Sequence, residues 1–236
     1  MDFRHFNTRN YETLPVRQGY SAWAASYERT VLDLMDLRLL ARLESVDWLS
    51  VRRAADLACG TGRVGVWLKS AGVGTLDGID LTEAMLEQAR DKRVYDRLLV
   101  GDLAATGFAS GAYDLVTMGL ADEHLADLGP LYAEAARLAA PGGRFVLVGY
   151  HPHFLMLGVV THFDRAPGDP VAIESHVHLM SNHVRAAHAA GFRLTEMTEG
   201  MIDESWAAAK PKWFARYRHH PVSFAIVWRH TANAGC

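Results

Sequence analysis

The chain has 236 residues, 50% of them hydrophobic and 22% charged, the balance of a soluble globular protein sized for one domain with an elaboration. A net charge of −3 leaves no basic footprint for DNA or structured RNA, which argues against a nucleic-acid partner. No apolar run reaches membrane-spanning length, so no membrane partner is expected either.

The opening MDFRHFNTRN is polar and charged, unlike a signal peptide, and residues 1–16 read as irregular up to Pro15. The two cysteines, Cys59 and Cys236, supply neither a disulfide framework nor a zinc spacing. A reducing, cytoplasmic setting is the expectation. Residues 19–49 carry helical periodicity, with Tyr20, Trp23, Ala24 and Tyr27 followed by Val31, Leu32, Met35, Leu39, Leu40 and Leu43. Two or three helices over residues 1–50 would form a cover ahead of the first strand of the core.

Residues 53–80, RAADLACGTGRVGVWLKSAGVGTLDGID, organise the rest. Ala54 to Ala58 reads as a strand broken only by Asp56. Cys59-Gly60-Thr61-Gly62 allows a sharp turn and close approach of a ligand to the backbone. Arg63 to Ala71 reads as a helix with Val64, Trp67 and Leu68 on one face, ended by Gly72-Val73-Gly74. Thr75 to Ile79 is the next strand, with Asp80 at its carboxyl end. A βαβ unit with a glycine-rich first turn and an acid about twenty residues on is a nucleoside-binding layout. Gly60-Thr61-Gly62-Arg63-Val64-Gly65 matches the dinucleotide pattern G-x-G-x-x-G, so an NAD(P)-linked oxidoreductase is one reading. Asp56 opposes it, since a pyrophosphate at that turn would meet like charge. A sulfonium nucleoside has no phosphate and carries an ammonium that Asp56 can hold.

DLACGTG followed by GID resembles the first two motifs of the class I S-adenosylmethionine-dependent methyltransferases, and later segments keep step with that family from about Ala54 to Arg229. The resemblance implies an α/β fold: a doubly wound, Rossmann-like sheet of seven mostly parallel strands, the last antiparallel. It implies S-adenosylmethionine as cofactor and a small molecule as methyl acceptor. Asp80 would then hold the ribose hydroxyls, with Leu81 and Met85 as apolar wall. Tyr20 and Tyr27 would touch the cofactor from the cover, and Asp56, Ala58, Gly60 and Gly62 from the turn. A third reading keeps the cofactor but transfers no methyl group.

After Asp80, Thr82 is placed to cap a helix that runs to about Lys92. Arg97 to Val100 reads as a strand, and the resemblance gives Asp102 and Leu103 the adenine contacts. Residues 111–118 are the next strand with its approach. There Asp114 would anchor the strand start, and Met118, Gly119 and Leu120 would end the strand just below the methyl group, with Met118 as the expected cofactor contact. His124, in the cluster Asp122-Glu123-His124, could be a general base for a substrate hydroxyl. Alternatively Glu123 and His124 could join a metal site, or the cluster could cap the following helix. Leu131 to Ala140 reads as a helix stopped by Pro141-Gly142-Gly143, and Arg144 to Gly149 as a strand.

Residues 150–182 are too long for a connector and hold His151, His153, His162, His176 and His178, so they read as a lid insertion carrying substrate recognition. His151 and His153 stand behind His124 as candidate bases. His176 and His178 alternate with Val177 and Leu179, which allows a metal pair or two hydrogen-bonded polar positions. Asn182 to Ala190 reads as a helix and Phe192 to Thr198 as a strand. A second insertion at 200–220 holds Trp206, Lys210, Trp213, Phe214 and Tyr217, and would close the pocket or offer a homodimer surface. Val222 to Arg229 is the final strand, and the tail TANAGC reads as loose. The methyltransferase core thus spans residues 51–236, with no metal expected. The acceptor's identity is not written in any of these motifs.

Overall fold

The computed structural model describes residues 1–231, so Cys236 and most of the TANAGC tail lie outside the described residues. Seven strands form the central sheet: β2 (Arg53–Leu57), β3 (Thr75–Asp80), β4 (Arg97–Val100), β5 (Tyr113–Gly119), β6 (Ala139–Tyr150), β9 (Phe192–Met201) and β10 (Pro221–His230). Their order is β4-β3-β2-β5-β6-β10-β9, and only β10 runs antiparallel to its neighbours. This is the doubly wound, Rossmann-like arrangement that the resemblance implied.

Alternation along the central strands sorts their side chains into two layers. Ala55, Leu57, Val116, Phe145, Leu147, Phe224 and Ile226 pack on one face with helices α6 (Gly129–Leu138) and α8 (Met180–Ala189). Ala54, Leu115, Val146, Val148, Ala225 and Val227 pack on the other with α3 (Leu37–Leu40) and α4 (Arg63–Ser70). Both faces are covered, which is why these strands read as nearly continuous apolar runs. Asp114 anchors two strand starts at once: its Oδ2 accepts from the N–H groups of Arg52 and Arg53 at 3.0 Å each.

The N-terminal cover contains α1 (Val16–Trp23) and α2 (Tyr27–Thr30) as well as α3. Residues 1–16 differ from the irregular stretch expected. Glu12–Leu14 form a strand, β1, that pairs parallel with β8 (Asp169–Ile173), and β8 pairs with β7 (His162–Ala166). The partners of β1 lie over 150 residues away in the chain, so no local pattern announces them. Cover and lid therefore share one small three-stranded sheet. Helix α1 packs so close to it that a Cβ at Gly19 would stand 2.8 Å from Ile173.

The lid also contains α7 (Pro152–Met156), and the second insertion folds as α9 (Trp206–Ala209) and α10 (Pro211–Tyr217). Trp206 and Trp213 stack nearly parallel there. Arg38 of α3 grips Asp203 with two hydrogen bonds of 3.0 and 2.6 Å, which fastens that insertion to the cover. No helix of the described residues is long and apolar enough to cross a membrane.

Three helix starts depart from expectation, that of α6 lying at Gly129, two residues before Leu131. At α5 (Glu83–Lys92) the Thr82 side chain makes no capping bond; instead Asp80 Oδ1 accepts from the Thr82 N–H at 2.8 Å. Helix α8 begins two residues before Asn182, whose Oδ1 reaches back to the Leu179 N–H at 2.8 Å. Helix α4 lies against Tyr95 at Gly65, where an added Cβ would sit 2.3 Å from the Tyr95 hydroxyl oxygen. Tyr95 cannot yield easily, since its hydroxyl donates to the buried Asp56 at 2.7 Å. Gly65→Ala should therefore destabilise the protein by about 1–3 kcal/mol in urea unfolding, the cost of overpacking a filled site.

Candidate functional site

The turn after β2 is built from three residues in left-handed backbone: Ala58 (φ 52°), Gly60 (φ 54°) and Gly62 (φ 84°). Ala58 holds that conformation with a Cβ, a strained choice for a non-glycine residue. Gly60 and Gly62 serve different ends. A Cβ at Gly60 would meet nothing within 4 Å, so its face is open to a ligand. A Cβ at Gly62 would stand 3.0 Å from Tyr95 and 3.3 Å from Ala89. Gly62 is not among the residues that line the cavity and recess beside this turn, and its close neighbours make it a packing glycine.

Asp80 fixes the turn. Its Oδ2 accepts from the Gly60 N–H at 2.8 Å while Oδ1 holds the start of α5. Burial raises its pKa, and the amides of Thr82 and Gly60 oppose that rise. A carboxylate offers about four acceptor positions, so two remain for a ligand. Beside it lies a cavity of about 260 Å³, walled by Ala58, Gly60, Leu81, Met85, Asp102 and Leu103, with Tyr20 and Tyr27 reaching in from the cover. The walls come from the carboxyl ends of β2, β3 and β4, where open α/β sheets bind ligands. Asp102 Oδ1 accepts from the Ala104 N–H at 2.8 Å. Met118 is absent from this wall: it is 1% exposed within the core, and Gly119 and Leu120 reach the cavity instead.

A polar recess of about 30 Å³ opens from the same turn, sharing Tyr27, Ala58, Gly60 and Gly119 with the larger cavity. Asp56, Asp36 and Arg63 face it. Asp56 is buried, and desolvation pushes its pKa up to about 6 against hydrogen bonds from Tyr95 and Thr117. Burial likewise raises Asp36. The Arg63 guanidinium donates to both Asp36 oxygens at 2.9 and 3.1 Å and to Asp33 at 2.6 Å. Arg63 and Asp36 escaped sequence reasoning because their meeting joins α4 to a loop of the cover 27 residues earlier.

An aromatic chamber of about 230 Å³ adjoins these spaces and shares Tyr20, Tyr27 and Leu120 with the 260 Å³ cavity. Trp23, stacked on Phe163 at 5.3 Å, forms part of its wall, with Tyr150 and the insertion residues Trp206 and Trp213. The lid contributes the stretch from Val160 to Asp164. Glu123 is the carboxyl group at this wall beyond the lid's Asp164. It is 2% exposed, and its Oε1 accepts from Thr161 at 2.9 Å while the buried Oε2 has no hydrogen-bond partner.

His124 is placed differently from a free general base. Its Nδ1 lies 2.7 Å from the Glu174 carbonyl oxygen, which can only accept, so Nδ1 carries the proton. Nε2 therefore accepts from the Tyr20 hydroxyl at 2.8 Å. Burial lowers the ring's pKa to about 4. With both nitrogens engaged and the imidazole held neutral, His124 orients Tyr20 and has no position left for an acceptor's proton. His151 and His153 line neither cavity. His151 Nδ1 accepts from the His153 N–H and its Nε2 faces Glu199 at 3.3 Å, while His153 Nε2 pairs with His220 at 2.8 Å. These contacts, and not the chamber lining, occupy both imidazoles. His176 and His178 do lie near each other, ring centroids 6.4 Å apart, but His178 Nε2 bonds the Leu125 carbonyl. Among the described residues no three His, Cys, Asp or Glu side chains are grouped to hold a metal ion.

Comparison with known proteins finds relatives of the fold and of part of the sequence. Residues 55–147 match the family model described as a methyltransferase domain. The chain is 36% identical over 106 residues to a demethylmenaquinone methyltransferase of Thermus thermophilus, covering 43% of this chain and 48% of that protein. It is 30% identical over 160 residues to a ubiquinone/menaquinone biosynthesis C-methyltransferase of Dinoroseobacter shibae, covering 63% of this chain and 64% of that one. The chain thus spans less than two thirds of the length of either relative. The fold is similar to the crystal structure of an S-adenosylmethionine-dependent methyltransferase from Mesorhizobium loti, with TM-score 0.64 and 21% identity over 84% of this chain and 98% of that one. Residues 55–147 thus resemble a methyltransferase domain, and the fold is similar to that of an S-adenosylmethionine-dependent methyltransferase.

The Arg63–Asp36 pair can be tested by itself. Both partners are buried, with side chains 11% and 3% exposed. Arg63→Met should cost about 3–5 kcal/mol in urea unfolding at pH 7, because Asp36 is left charged and unpaired. The cost should shrink as pH falls and Asp36, whose pKa burial already raises, takes up a proton.

Proposed function

We propose that this protein binds S-adenosylmethionine in the 260 Å³ cavity and moves its methyl group to a small molecule in the aromatic chamber. The observation that carries the proposal is the acidic recess at the turn: Asp56 and Asp36 stand where a dinucleotide would need to place its pyrophosphate. An amino-acid sulfonium suits that charge. Asp56 and Asp36 would hold its ammonium and Arg63 its carboxylate. Asp80 would use its two remaining acceptor positions for the ribose hydroxyls. Asp102 would accept from the adenine amino group and the Leu103 N–H would donate to the ring, with Leu81 and Met85 as apolar wall.

When bound, the cofactor supplies an electrophilic methyl group on a positive sulfur. The chain's own contribution is alignment and exclusion of water. Tyr20, Tyr27 and Leu120 border both spaces, so they would set the approach between acceptor and methyl. His124 would fix the Tyr20 hydroxyl in that border through its 2.8 Å bond. An NAD(P)-linked dehydrogenase loses support on the same charges. A cofactor-binding protein that moves no methyl would share the cavity, and the presence of an aromatic chamber beside it favours transfer.

Titration calorimetry tests the binding. S-adenosylhomocysteine should bind and NADH should not. Asp80→Ala should weaken S-adenosylhomocysteine by about 1–3 kcal/mol, the cost of unpaired buried hydroxyls. Asp56 must lose its proton before it can hold an ammonium, and in the free protein it does so near pH 6. Affinity should therefore rise with pH up to about 6 and level off above, with proton release on binding below that point. Asp56→Asn should bind more weakly at neutral pH and lose the rise. Transfer itself is read with methyl-labelled cofactor and a cell extract, where a labelled small molecule is expected; its absence would favour the non-methylating reading.

A further inference from the structure

The Glu123 carboxyl has no use in the cofactor cavity and no structural partner for one of its oxygens. Oε1 accepts from Thr161, Oε2 is buried with no hydrogen-bond donor beside the neighbouring Asp122 carboxyl, and the residue lines the aromatic chamber. An unpaired buried acceptor is costly unless a ligand completes it. The remaining chamber wall is dominated by flat rings, among them Trp23, Phe163, Trp206 and Trp213. Flat rings favour a planar guest, and a buried carboxyl among them favours a hydroxyl on that guest. The carboxyl also stands close to the methyl-transfer border. Leu120 lines both spaces, and Ala121 and His124 on either side of the Asp122-Glu123 pair line the cofactor cavity.

We propose that the acceptor is a planar aromatic hydroxy compound whose hydroxyl hydrogen-bonds Glu123 Oε2, and that Glu123 takes that hydroxyl's proton as the oxygen is methylated. This rests on the methyl-transfer reading above. In the step, the acceptor's O–H proton passes to the Glu123 carboxylate and its oxygen forms a bond to the methyl carbon. The carbon–sulfur bond breaks with its electron pair left on sulfur, giving a neutral thioether and a neutral aryl methyl ether. No other reactant is required.

The surroundings of Glu123 set when it can act. Burial first, and then the neighbouring Asp122, push its pKa up to about 8, opposed by the Thr161 hydroxyl. His124 Nε2 lies 3.6 Å away, and the hydroxyls of Tyr20, Tyr27 and Tyr150 face the same charge. His162, Asp164 and Lys210 complete the charged and titratable side chains of the chamber wall. The base form therefore grows as pH rises through about 8, and turnover of a weakly acidic phenol should grow with it.

The first test needs no cofactor. The full chain is titrated calorimetrically with 2-naphthol and with cyclohexanol. Naphthol should bind and cyclohexanol should not, and Glu123→Gln should weaken naphthol about tenfold, the scale of a hydrogen bond to an ionisable group. Equal naphthol affinity in the two proteins, or equal binding of cyclohexanol, overturns the proposal. The second test adds S-adenosylmethionine. Glu123→Gln should lower 2-naphthol turnover about 100-fold but 4-nitrophenol turnover by less than about tenfold, because that hydroxyl is already ionised near neutral pH. The rise through pH 8 should vanish in the variant, and Thr161→Val, which removes the hydroxyl that favours the carboxylate, should shift it to higher pH. The product should be the aryl methyl ether by mass spectrometry and NMR. A uniform loss across both phenols, an unshifted pH profile or a ring-methylated product overturns the proposal. A thermal melt confirms that each variant is folded. If the wild-type chain binds no S-adenosylhomocysteine, the methyl-transfer reading fails, while the naphthol titration still decides the role of Glu123.

Discussion

One carboxylate, that of Asp80, ties the ends of two adjacent strands into a ligand-facing surface. Its oxygens take the Gly60 N–H from the turn after β2 and the Thr82 N–H at the start of α5, both at 2.8 Å. The first bond holds the turn in a left-handed path that Ala58 adopts at some steric cost. The second replaces the missing Thr82 cap. Because the turn keeps this path, Gly60 presents open backbone to the cavity while Gly62 and Gly65 press α4 onto Tyr95. Tyr95 in turn donates to Asp56. Packing of the helix and the electrostatics of the recess are thus consequences of one arrangement.

The second constraint is the union of cover and lid. Glu12–Leu14 pair with Val171–Ile173, and α1 rests on the same small sheet at Gly19. Tyr20 and Tyr27 arrive at the border between cavity and chamber from one side of that union, and Thr161 and Phe163 arrive from the other. The aromatic chamber therefore exists only when segments over 150 residues apart in the chain are joined. Its polarity is also set there. Thr161 of the lid is what meets Glu123, an acid placed by the loop after β5.

Much of this was readable in the sequence because the signals are local. The glycine turn, Asp56, Asp80 and Asp102 lie at strand ends whose positions follow from apolar runs and turn residues. The antiparallel β10 came from the family resemblance and not from its own pattern, since a strand buried on both faces shows no alternation of polarity. That same double burial leaves open which of Met118, Gly119 and Leu120 at the end of β5 faces the cavity, and Gly119 and Leu120 line it. The histidines misled for a different reason. Exposure and partners decide whether an imidazole can act as a base, and both depend on contacts distant in sequence. His124 is occupied by Tyr20 and the Glu174 carbonyl, and His151 and His153 turn toward Glu199 and His220. Strand β1 and the Arg63–Asp36 pair were out of reach for the same reason. Glu123 was visible only as part of an acidic cluster, and its buried, unpartnered oxygen appears once the lid is in place.

On the proposed function, the recess at the first turn receives an amino-acid cation and repels a diphosphate. A crystal structure of the full chain grown with S-adenosylhomocysteine, and a parallel one grown with NADH, tests it most directly. The account predicts the adenosyl group beside Asp80 and Asp102, the amino-acid end at Asp56 and Arg63, and no nucleotide in the second crystal. A diphosphate seated against Gly60, with the homocysteine compound absent, would contradict it.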